Sequence, residues 1–225
     1  MCGREKKDRF AAVRQQMLRR HLKGRDITDP RVLKVMGDVP REEFVSQTYL
    51  SQAYADGPLP IGLGQTISQP YIVALMTQEL RVDRKCNVLE VGTGSGYQTA
   101  VLSKLAGKVY TIERHAELSA SAQAVLGRLG ISNVEFYIGD GSHGWPPGGR
   151  PDEKLFERIM ITAAVPAMPQ PLIDQLADGG IMVAPIGPSG VQRLVAWEKS
   201  DDKINERFIC DVRFVKLLGE YGFEE

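Results

Sequence analysis

Residue types suited to binding a small charged molecule are concentrated in the range 88–97. A short apolar run that contains Glu90 is followed by Gly92, Gly94 and Gly96 on alternate positions. Glycine lets the backbone adopt a positive φ and approach a ligand that any Cβ would displace. A strand, a tight turn and a helix start are therefore predicted here, with free backbone N–H groups available to a ligand.

The residue after the last glycine decides which ligand suits the turn. A dinucleotide fingerprint has glycine or alanine where this chain has Tyr97, and a ring there would obstruct the packing of helix on strand. The pattern acid-x-G-x-G-x-G instead resembles motif I of the class I methyltransferases, which bind S-adenosylmethionine. Because similar turns occur in α/β proteins without a cofactor, the motif alone leaves both interpretations open. The resemblance implies a cofactor site made by Glu90, Gly92, Thr93, Gly94, Ser95 and Gly96.

Two further acids follow predicted strands. Glu113 ends a strand about 20 residues beyond the turn, where α/β nucleotide folds hold ribose hydroxyls with a carboxylate. Asp140 and Gly141 follow the next strand, where a carboxylate can accept from an adenine amine while glycine admits the ring. An ordinary turn also explains Asp140. We interpret all three as cofactor-binding residues, since ligands in open α/β sheets lie outside the carboxyl ends of the strands.

Composition limits the class of protein. The 225 residues suffice for a single domain, 1–225, and 43% hydrophobic with 25% charged residues is typical of a globular chain. The 28 Lys and Arg residues balance the 28 Asp and Glu residues. A chain with no net charge lacks the basic surface that binds nucleic acid or an anionic membrane, so neither partner is expected.

The cysteines and the start of the chain indicate the compartment. Cys2, Cys86 and Cys210 have no spacing typical of a disulfide framework or a metal site, so reduced thiols and no metal are predicted. No run approaches the ~20 apolar residues of a membrane span. The charged N-terminus is unlike a signal peptide. A cytoplasmic location is therefore expected.

Helix and strand signals alternate along the chain, and the last two strands are separated only by residues 200–205, too few for a crossover helix. This order predicts an α/β fold: a doubly wound, mostly parallel, seven-stranded sheet with an antiparallel edge hairpin and N-terminal helices. The predicted helices are 4–22, 31–36, 71–80, 97–106, 116–129 and 171–177; the predicted strands are 88–91, 108–113, 134–138, 158–164, 181–186, 194–197 and 208–218.

The segment before the third helix is unusual. Residues 53–64 are too rich in Gly and Pro for regular structure and too apolar for a disordered linker, so an ordered, packed loop is predicted. Ser68 then stands where the helix 71–80 would begin, with Pro70 in its first turn, and an N-cap role explains it from its residue type. Its position after a long packed loop leaves a functional role open.

Several segments outside the glycine turn resemble one methyltransferase family, the protein-L-isoaspartate O-methyltransferases. They occur in the order of that family from about Val39 to Gly187, and more loosely beyond. The stretch from Thr66 to Pro70 is diagnostic because methyltransferases in general lack it. The matching segments are 39–42 with Phe44, 53–54, 56–62, 64–68 with Pro70, 90–100, 139–141, 144–146 and 162–164 with Pro166.

This resemblance implies a protein repair enzyme. Members transfer a methyl group from S-adenosylmethionine, leaving S-adenosylhomocysteine, to the free α-carboxylate of L-isoaspartyl residues in damaged proteins and peptides. The ester then collapses to a succinimide, which reopens partly to normal aspartate. The serine matching Ser68 is assigned to the active site, which implies that Thr66, Ile67 and Ser68 bind substrate. It also implies that 1–67 form a helical cap and lid over a Rossmann-like core; a monomer is expected.

The residues present suit that reaction. A carboxylate with a solution pKa near ~3.9 is ionised at neutral pH, so its oxygen needs no general base. The site mainly has to align oxygen, methyl and sulfur and to exclude water. We therefore interpret Ser68 as a group that orients the substrate by hydrogen bonding, and the loop 54–65 as the lid.

Some residues depart from the family pattern, and other functions were weighed. The usual Val-Pro-Leu is Val215-Lys216-Leu217 here, the usual Phe-Asp-Arg is Phe156-Glu157-Arg158, and the loop 147–155 is long, which puts substrate access in question. The nearest alternative is an O-methyltransferase acting on another carboxylate or small molecule. A nicotinamide oxidoreductase would need glycine or alanine at Tyr97, and a non-catalytic cofactor-binding module would not need the serine segment.

Overall fold

The computed structural model describes residues 2–149, 155–201 and 203–224, with side chains from Phe10 onward. In this part of the chain the α-helices are α1 Cys2–Met17, α2 Pro30–Asp38, α3 Pro70–Leu80, α4 Tyr97–Leu105, α5 Ala116–Arg128 and α6 Gln170–Asp174. The strands are β1 Leu59–Gly62, β2 Gln65–Ile67, β3 Asn87–Val91, β4 Lys108–Glu113, β5 Val134–Ile138, β6 Phe156–Ile161, β7 Leu176–Ile186, β8 Gln192–Ser200 and β9 Lys203–Val212. Shorter turns are a π-helical turn at Leu18–Leu22 and 3-10 turns at Arg41–Phe44, Gln47–Gln52 and Gly141–His143.

Seven strands form one sheet in the order β5-β4-β3-β6-β7-β8-β9. β3 pairs in parallel with β4 on one side and with β6 on the other, and β7 continues the parallel part. β8 and β9 run antiparallel at the far edge, as predicted. The chain reverses its direction of travel through the sheet between β3 and β6, and the crevice at such a switch point is where open α/β sheets bind ligands.

The sheet separates two apolar layers. On one face Val88 of β3 shares a core with Met17 and Met36 from the N-terminal segment. On the opposite face Leu89 of β3 packs in a second core with Trp197. Alternate side chains of a strand point to opposite faces, so a strand buried on both faces reads as the unbroken apolar run that this sequence has around Glu90.

Local signals explain several helix ends. The Asp29 side chain accepts a hydrogen bond from the Arg31 backbone N–H at 2.8 Å, and Pro30 is the first residue of α2. Pro is tolerated there because its missing N–H would have no partner in the helix. After α5, Gly130 adopts a φ of +67°, a conformation that favours glycine and that is common directly after the end of a helix.

Part of the predicted loop 53–64 is a strand, which corrects that prediction. β1 and β2 form an antiparallel hairpin, with Leu59 paired to Ile67 and Pro60 to Thr66. The hairpin is a separate two-stranded sheet, so a proline there interrupts no central ladder. Its tip turns at residues 62–64, which all have positive φ. Gly62 and Gly64, which argued against regular structure, therefore make the turn of a hairpin.

The structure also corrects element ends in the second half of the chain. The helix predicted at 171–177 ends at Asp174, and residues 178–180 belong to β7, whose pairing with β6 shifts register there. β6 ends at Ile161, before the predicted end at residue 164. β9 ends at Val212, and residues 213–218 leave the sheet to cross the carboxyl ends of the central strands. There the backbone N–H of Ala164 donates to the carbonyl oxygen of Val215 at 2.7 Å.

No helix in the described ranges is long and apolar enough to cross a membrane. Residues 150–154 of the predicted loop 147–155 lie outside the described residues. The predicted effect of this loop on substrate access therefore stays a prediction.

Candidate active site

A cavity, here called the first cavity, opens at the switch point between β3 and β6. It is walled by the glycine turn after β3, by the end of β4, by the turn after β5, and by the two segments that approach from outside the sheet, β2 and 213–218. The predicted site residues that line it are Thr66, Ile67, Ser68, Gly92, Thr93, Gly94, Ser95, Glu113 and Gly141.

The glycine turn adopts the positive φ angles that the sequence predicts, but most of its backbone N–H groups are not free, which corrects that part of the prediction. Those of Gly92 and Thr93 donate to the carbonyl oxygen of Ile112, and that of Gly96 donates to the carbonyl oxygen of Thr93. Gly92 adopts a φ of +100°, and a Cβ built on it would lie 2.3 Å from the Thr162 hydroxyl oxygen. Gly96 adopts a φ of +84°, and its Cβ would lie 2.8 Å from the Leu126 side chain and 2.9 Å from that of Ala122 on α5. Neither position admits a side chain, because both the conformation and the space exclude one.

Tyr97 begins α4 and confirms why a dinucleotide turn does not fit. Its ring is fully buried and packs edge-on against Phe44, with 5.5 Å between the ring centres. A buried aromatic ring therefore occupies the position where a dinucleotide fingerprint has glycine or alanine.

Glu113 presents its carboxylate at the wall of the first cavity while the turn holds it in place. Its Oε2 accepts from the Gly94 backbone N–H at 2.9 Å, and its Oε1 accepts from the His115 backbone N–H at 3.0 Å. A carboxylate has about four acceptor sites, so lone pairs remain for the hydroxyls of a ligand. Sequence reasoning found this residue, and the structure brings it to the glycine turn.

Glu90 lies behind the turn. It is fully buried and does not line the first cavity. Its Oε2 accepts from the hydroxyls of Thr99 at 2.6 Å and Thr111 at 2.7 Å. The single hydroxyl proton of Thr111 is used in its hydrogen bond to Glu90. The Thr93 hydroxyl, 2.7 Å from that of Thr111, is therefore the donor of the bond between the two threonines. Glu90 thus reaches the turn through two threonines.

Burial raises the pKa of Glu90 to about 8. The hydrogen bonds from Thr99 and Thr111 lower the pKa, but the effect of burial is larger. Its Oε1 has no hydrogen-bond partner among the described residues.

The turn after β5 is held by the end of the chain. Gly141 lines the first cavity, whereas Asp140 next to it does not. The Asp140 carboxylate accepts from the backbone N–H of Ser142 at 2.8 Å and of Glu220 at 2.9 Å. Burial raises the pKa of Asp140, but these hydrogen bonds outweigh it and the net shift is downward. The imidazole of His143 adds an Nε2 contact to the Glu220 carboxylate at 3.2 Å.

A second cavity lies on the other side of the serine segment. Its walls include Pro58 and Ile72 on one side and Val191 and Arg213 on the other. It shares part of its wall with the first cavity, and the residues common to both are Thr66, Ser68, Thr162, Phe214 and Val215. Two compartments therefore meet at Ser68.

Ser68 does not cap α3, which corrects the N-cap prediction. The helix begins at Pro70, its N-cap position is Gln69, and no side chain caps it. No hydrogen bond of the Ser68 hydroxyl is found within residues 2–149, 155–201 and 203–224, and the side chain is half-buried. Its hydroxyl is free to contact a ligand at the junction of the two cavities.

Sequence reasoning did not single out several wall residues. Thr162 follows β6, and its hydroxyl lies 2.6 Å from the carbonyl oxygen of Gly92 and 2.9 Å from that of Val91. Phe214 belongs to the crossing segment that was predicted as strand, and its neighbour Val215 was noted only within a departure from the family pattern. The only signal for Thr162 was its place in a segment that matches the family.

The residues of the first cavity fit S-adenosylmethionine. The turn brings bare backbone to the cavity, the Glu113 carboxylate stands at the wall, and a Cβ on Gly141 would lie 2.5 Å from the Val91 side chain. Backbone without side chains admits the body of a nucleoside, and a carboxylate accepts from its ribose hydroxyls. Within the described ranges no group of three or more His, Cys, Asp or Glu side chains is arranged to hold a metal ion.

Comparison with known sequences gives a consistent family. The family model described as protein-L-isoaspartate(D-aspartate) O-methyltransferase matches residues 12–222. The protein-L-isoaspartate O-methyltransferase of Desulfosudis oleivorans is 48% identical over 217 residues, which cover 96% of each chain. That of Parvibaculum lavamentivorans is 50% identical over 200 residues, which cover 88% of each chain.

Solved structures agree with the sequences. A protein-L-isoaspartate O-methyltransferase superposes with a TM-score of 0.80 at 30% identity, over 93% of this chain and 67% of its own. The beta-aspartate methyltransferase of Plasmodium falciparum, in complex with S-adenosyl-L-homocysteine, superposes with a TM-score of 0.78 at 25% identity. That match covers 93% of this chain and 98% of the other. The predicted α/β methyltransferase fold is confirmed.

Proposed function

Because the chain belongs to the protein-L-isoaspartate(D-aspartate) O-methyltransferase family, we propose that Ser68 orients the substrate at the junction of its two cavities. The protein is a repair methyltransferase. It transfers a methyl group from S-adenosylmethionine to the free α-carboxylate of L-isoaspartyl residues in damaged proteins and peptides. The family therefore decides against the alternative of an unrelated carboxylate or small molecule.

The observation that carries the role of Ser68 is the wall that the two cavities share. In this proposal the cofactor occupies the first cavity and the isoaspartyl peptide the second, so methyl and carboxylate oxygen meet at Ser68. Its hydroxyl, without a partner in the described structure, donates to the carboxylate or to the neighbouring peptide group. Thr66 and Ile67, on β2 of the hairpin, complete the substrate side.

Methyl transfer mainly requires the protein to align the carboxylate oxygen of the substrate with the methyl group of the cofactor. S-adenosylmethionine supplies a methyl group on a positively charged sulfur, and the substrate carboxylate is already ionised at neutral pH. No described residue has to act as a base. Ser68 fixes the oxygen, and the hairpin with the segment 213–218 excludes water. Correct orientation of two reactants is worth ~7–11 kcal/mol of the barrier.

We propose the cofactor contacts from the walls of the first cavity. Gly92, Gly94 and Gly96, with Thr93 and Ser95, hold the body of the cofactor, and Glu113 accepts from its ribose hydroxyls. Glu90 supports this site through Thr93, which is an indirect role. Gly141 admits the adenine, and Asp140 accepts from its amine with the lone pairs that its two backbone hydrogen bonds leave. Wall geometry supports the assignments of Gly92, Thr93, Gly94, Ser95, Glu113 and Gly141, which line the first cavity. Gly96 and Asp140 do not line it: Gly96 shapes the turn against α5, and the role of Asp140 rests on its acceptor chemistry.

We also propose how the chain works as a whole. Residues 1–67 form the cap and lid of one methyltransferase domain, 1–225, since the hairpin β1–β2 contributes to both cavities. The enzyme acts as a monomer in the cytoplasm and has no nucleic-acid or membrane partner. A formal net charge of zero and cysteines without pairing pattern support this.

The activity is tested with labelled S-adenosylmethionine and two peptides that differ only in one Asp or isoAsp residue. We expect base-labile label on the isoAsp peptide alone. Equal labelling of both peptides would contradict the assigned substrate. No labelling alongside tight binding of S-adenosylhomocysteine would favour a non-catalytic binding module.

The role of Ser68 is tested by Ser68→Ala. Loss of a hydrogen bond to a charged group costs about 1.5–3 kcal/mol, so we expect kcat/KM for the isoAsp peptide to fall about 10- to 100-fold. The dissociation constant of S-adenosylhomocysteine should stay within about twofold, because Ser68 contacts the substrate side. Ser121→Ala on the exposed face of α5 is the control and should leave both unchanged. A Ser68→Ala enzyme with unchanged kcat/KM for the isoAsp peptide would contradict the proposal.

A further inference from the structure

Arg41 is a fully buried cation next to the serine segment. It begins the 3-10 turn Arg41–Phe44 and has no solvent exposure. Its Nε donates to the carbonyl oxygen of Ala53 at 2.8 Å, and its Nη2 donates to the carbonyl oxygen of Ser68 at 2.7 Å. One rigid guanidinium therefore joins the start of the lid segment to the residue that meets both cavities.

This cation lacks an acidic partner. No ion pair of Arg41 occurs in the described part of the chain, and the nearby Glu42 carboxylate is taken by Arg14 at 2.9 Å and by the Tyr54 hydroxyl. Burial lowers the pKa of Arg41 to about 10, which still leaves it charged at neutral pH. Its Nη1 has no hydrogen-bond partner in the same ranges.

A buried charge without a counterion is costly, so stability alone does not explain the residue. Taking such an ion out of water costs several kcal/mol, and well-packed apolar residues often replace buried ions at no loss. The guanidinium carbon lies 4.8 Å from the centre of the Tyr97 ring, which recovers part of this cost. Tyr97 is the first residue of α4, directly after the glycine turn.

Arg41 thus contacts both halves of the site. It binds the backbone of Ser68 on the substrate side and stacks on Tyr97 on the cofactor side. Its planar fork of donors suits two carbonyl groups held in fixed directions, and an ammonium group on a flexible stem does not reproduce that geometry.

We propose that Arg41 is a positioning residue for methyl transfer, which holds the Ser68 carbonyl so that the Ser68 hydroxyl points to the junction of the two cavities. The proposal rests on the proposed role of Ser68. It concerns the substrate step, so it predicts an effect on the isoAsp peptide that exceeds any effect on the cofactor.

The first test is Arg41→Lys, which keeps the charge and loses the fork. A small misplacement of a reacting group can cost up to 10²-fold, so we expect kcat/KM for the isoAsp peptide to fall about tenfold. Binding of S-adenosylhomocysteine should change less than about twofold. Arg14→Lys is the matched control, because Arg14 belongs to the adjoining Glu42 and Tyr54 network and has no contact with Ser68. It should leave kcat/KM unchanged.

A double-mutant cycle separates positioning from folding. In the Ser68→Ala background, Arg41→Lys should lower kcat/KM less than about twofold, because the hydroxyl that it positions is gone. The same tenfold loss in both backgrounds would overturn the inference and leave the role of Ser68 intact. If Ser68→Ala by itself has no effect, the proposed role of Ser68 fails instead.

A second variant tests the contact if Arg41→Lys does not fold. Replacing the amide bond between residues 68 and 69 by an ester weakens the Ser68 carbonyl as an acceptor and leaves the Arg41 and Ser68 side chains intact. We expect kcat/KM to fall about threefold or more while cofactor binding is retained, since a hydrogen bond from a charged donor is weakened. An unchanged kcat/KM would overturn the inference.

Discussion

Glu90 is a carboxyl group with no exposed surface, and its raised pKa has a consequence for stability. The folded protein holds the Glu90 proton up to a pKa of about 8, whereas the ordinary pKa of a glutamate side chain is 4.5. Between these two values the folded state binds more protons than the unfolded state. The free energy of unfolding therefore falls as pH rises through this window.

Glu90→Gln should remove this pH dependence of the unfolding free energy, because glutamine mimics the protonated acid. A full shift is worth about 1.4 kcal/mol per pH unit, so the variant should gain about 2–3 kcal/mol relative to the parent protein between pH 6 and pH 8. Urea unfolding at several pH values measures it. Glu198→Gln, at the exposed Glu198 of β8, is the control and should follow the parent curve. Parallel curves for Glu90→Gln and the parent would contradict the assigned shift.

At the residue scale, the sequence predicts residues that belong to a short local pattern better than it predicts contacts between residues distant in the chain. The turn glycines and Glu113 were found because each belongs to a short pattern with its own spacing. Thr162 was not, since its hydroxyl meets Gly92 only after β6 has paired with β3. Arg41 was noted only as part of a segment that matches the family, because no local sequence pattern indicates that an arginine is buried.

At the scale of the element, the turn between β3 and α4 is the least tolerant of change. Gly96→Ala would put a Cβ against α5 and force a left-handed conformation on alanine. The conformation costs about 1–2 kcal/mol and the overpacking about 1–3 kcal/mol more. We expect a loss of about 2–4 kcal/mol in unfolding free energy and weaker binding of S-adenosylhomocysteine.

Gly127→Ala is the matched control for that variant. Gly127 lies inside α5, and nothing stands within 4 Å of the Cβ that would be added. Alanine should therefore stabilise the helix by about 0.5–1 kcal/mol. Chemical denaturation of both variants measures the two opposite changes. A Gly96→Ala protein as stable as the parent would mean that the turn and α5 can move apart.

Element types were predictable and some element ends were not. The predicted start of α2, residue 31, lies one residue from the observed start at Pro30, because the cap at Asp29 is local. The cap of α3 was misplaced because Pro70 is already the first helical residue, which moves the N-cap to Gln69. The segment 213–218 has the apolar content of a strand, but its hydrogen bonds go to Ala164, to the Gln192 side chain and to Phe223 instead of along a neighbouring strand of the sheet.

For the whole molecule, the shared core predicts one cooperative unit. Met17, Met36 and Val88 belong to the same buried cluster, so the N-terminal segment cannot detach without exposing the sheet. We expect the urea midpoint from the fluorescence of Trp145 and Trp197, which lie in the opposite core, to equal that from hydrogen exchange of α2. Loss of α2 protection at lower urea would make residues 1–67 a separate unit.

Bound cofactor should raise both midpoints together. A ligand at 100 times its dissociation constant adds about 2.7 kcal/mol to the unfolding free energy of the unit that binds it. If S-adenosylhomocysteine stabilised only the region reported by tryptophan, the coupling between the N-terminal segment and the core would be contradicted.

The common wall of the two cavities also bears on inhibitor design. A nucleoside fragment and a short isoaspartyl fragment would end within reach of each other at Ser68, so a short thioether tether could join them in one molecule. Tethering replaces a second encounter from solution by an effective concentration that reaches the millimolar range for short linkers. Such a compound would gain selectivity over other users of the same nucleoside through its isoaspartyl fragment, which occupies the second cavity.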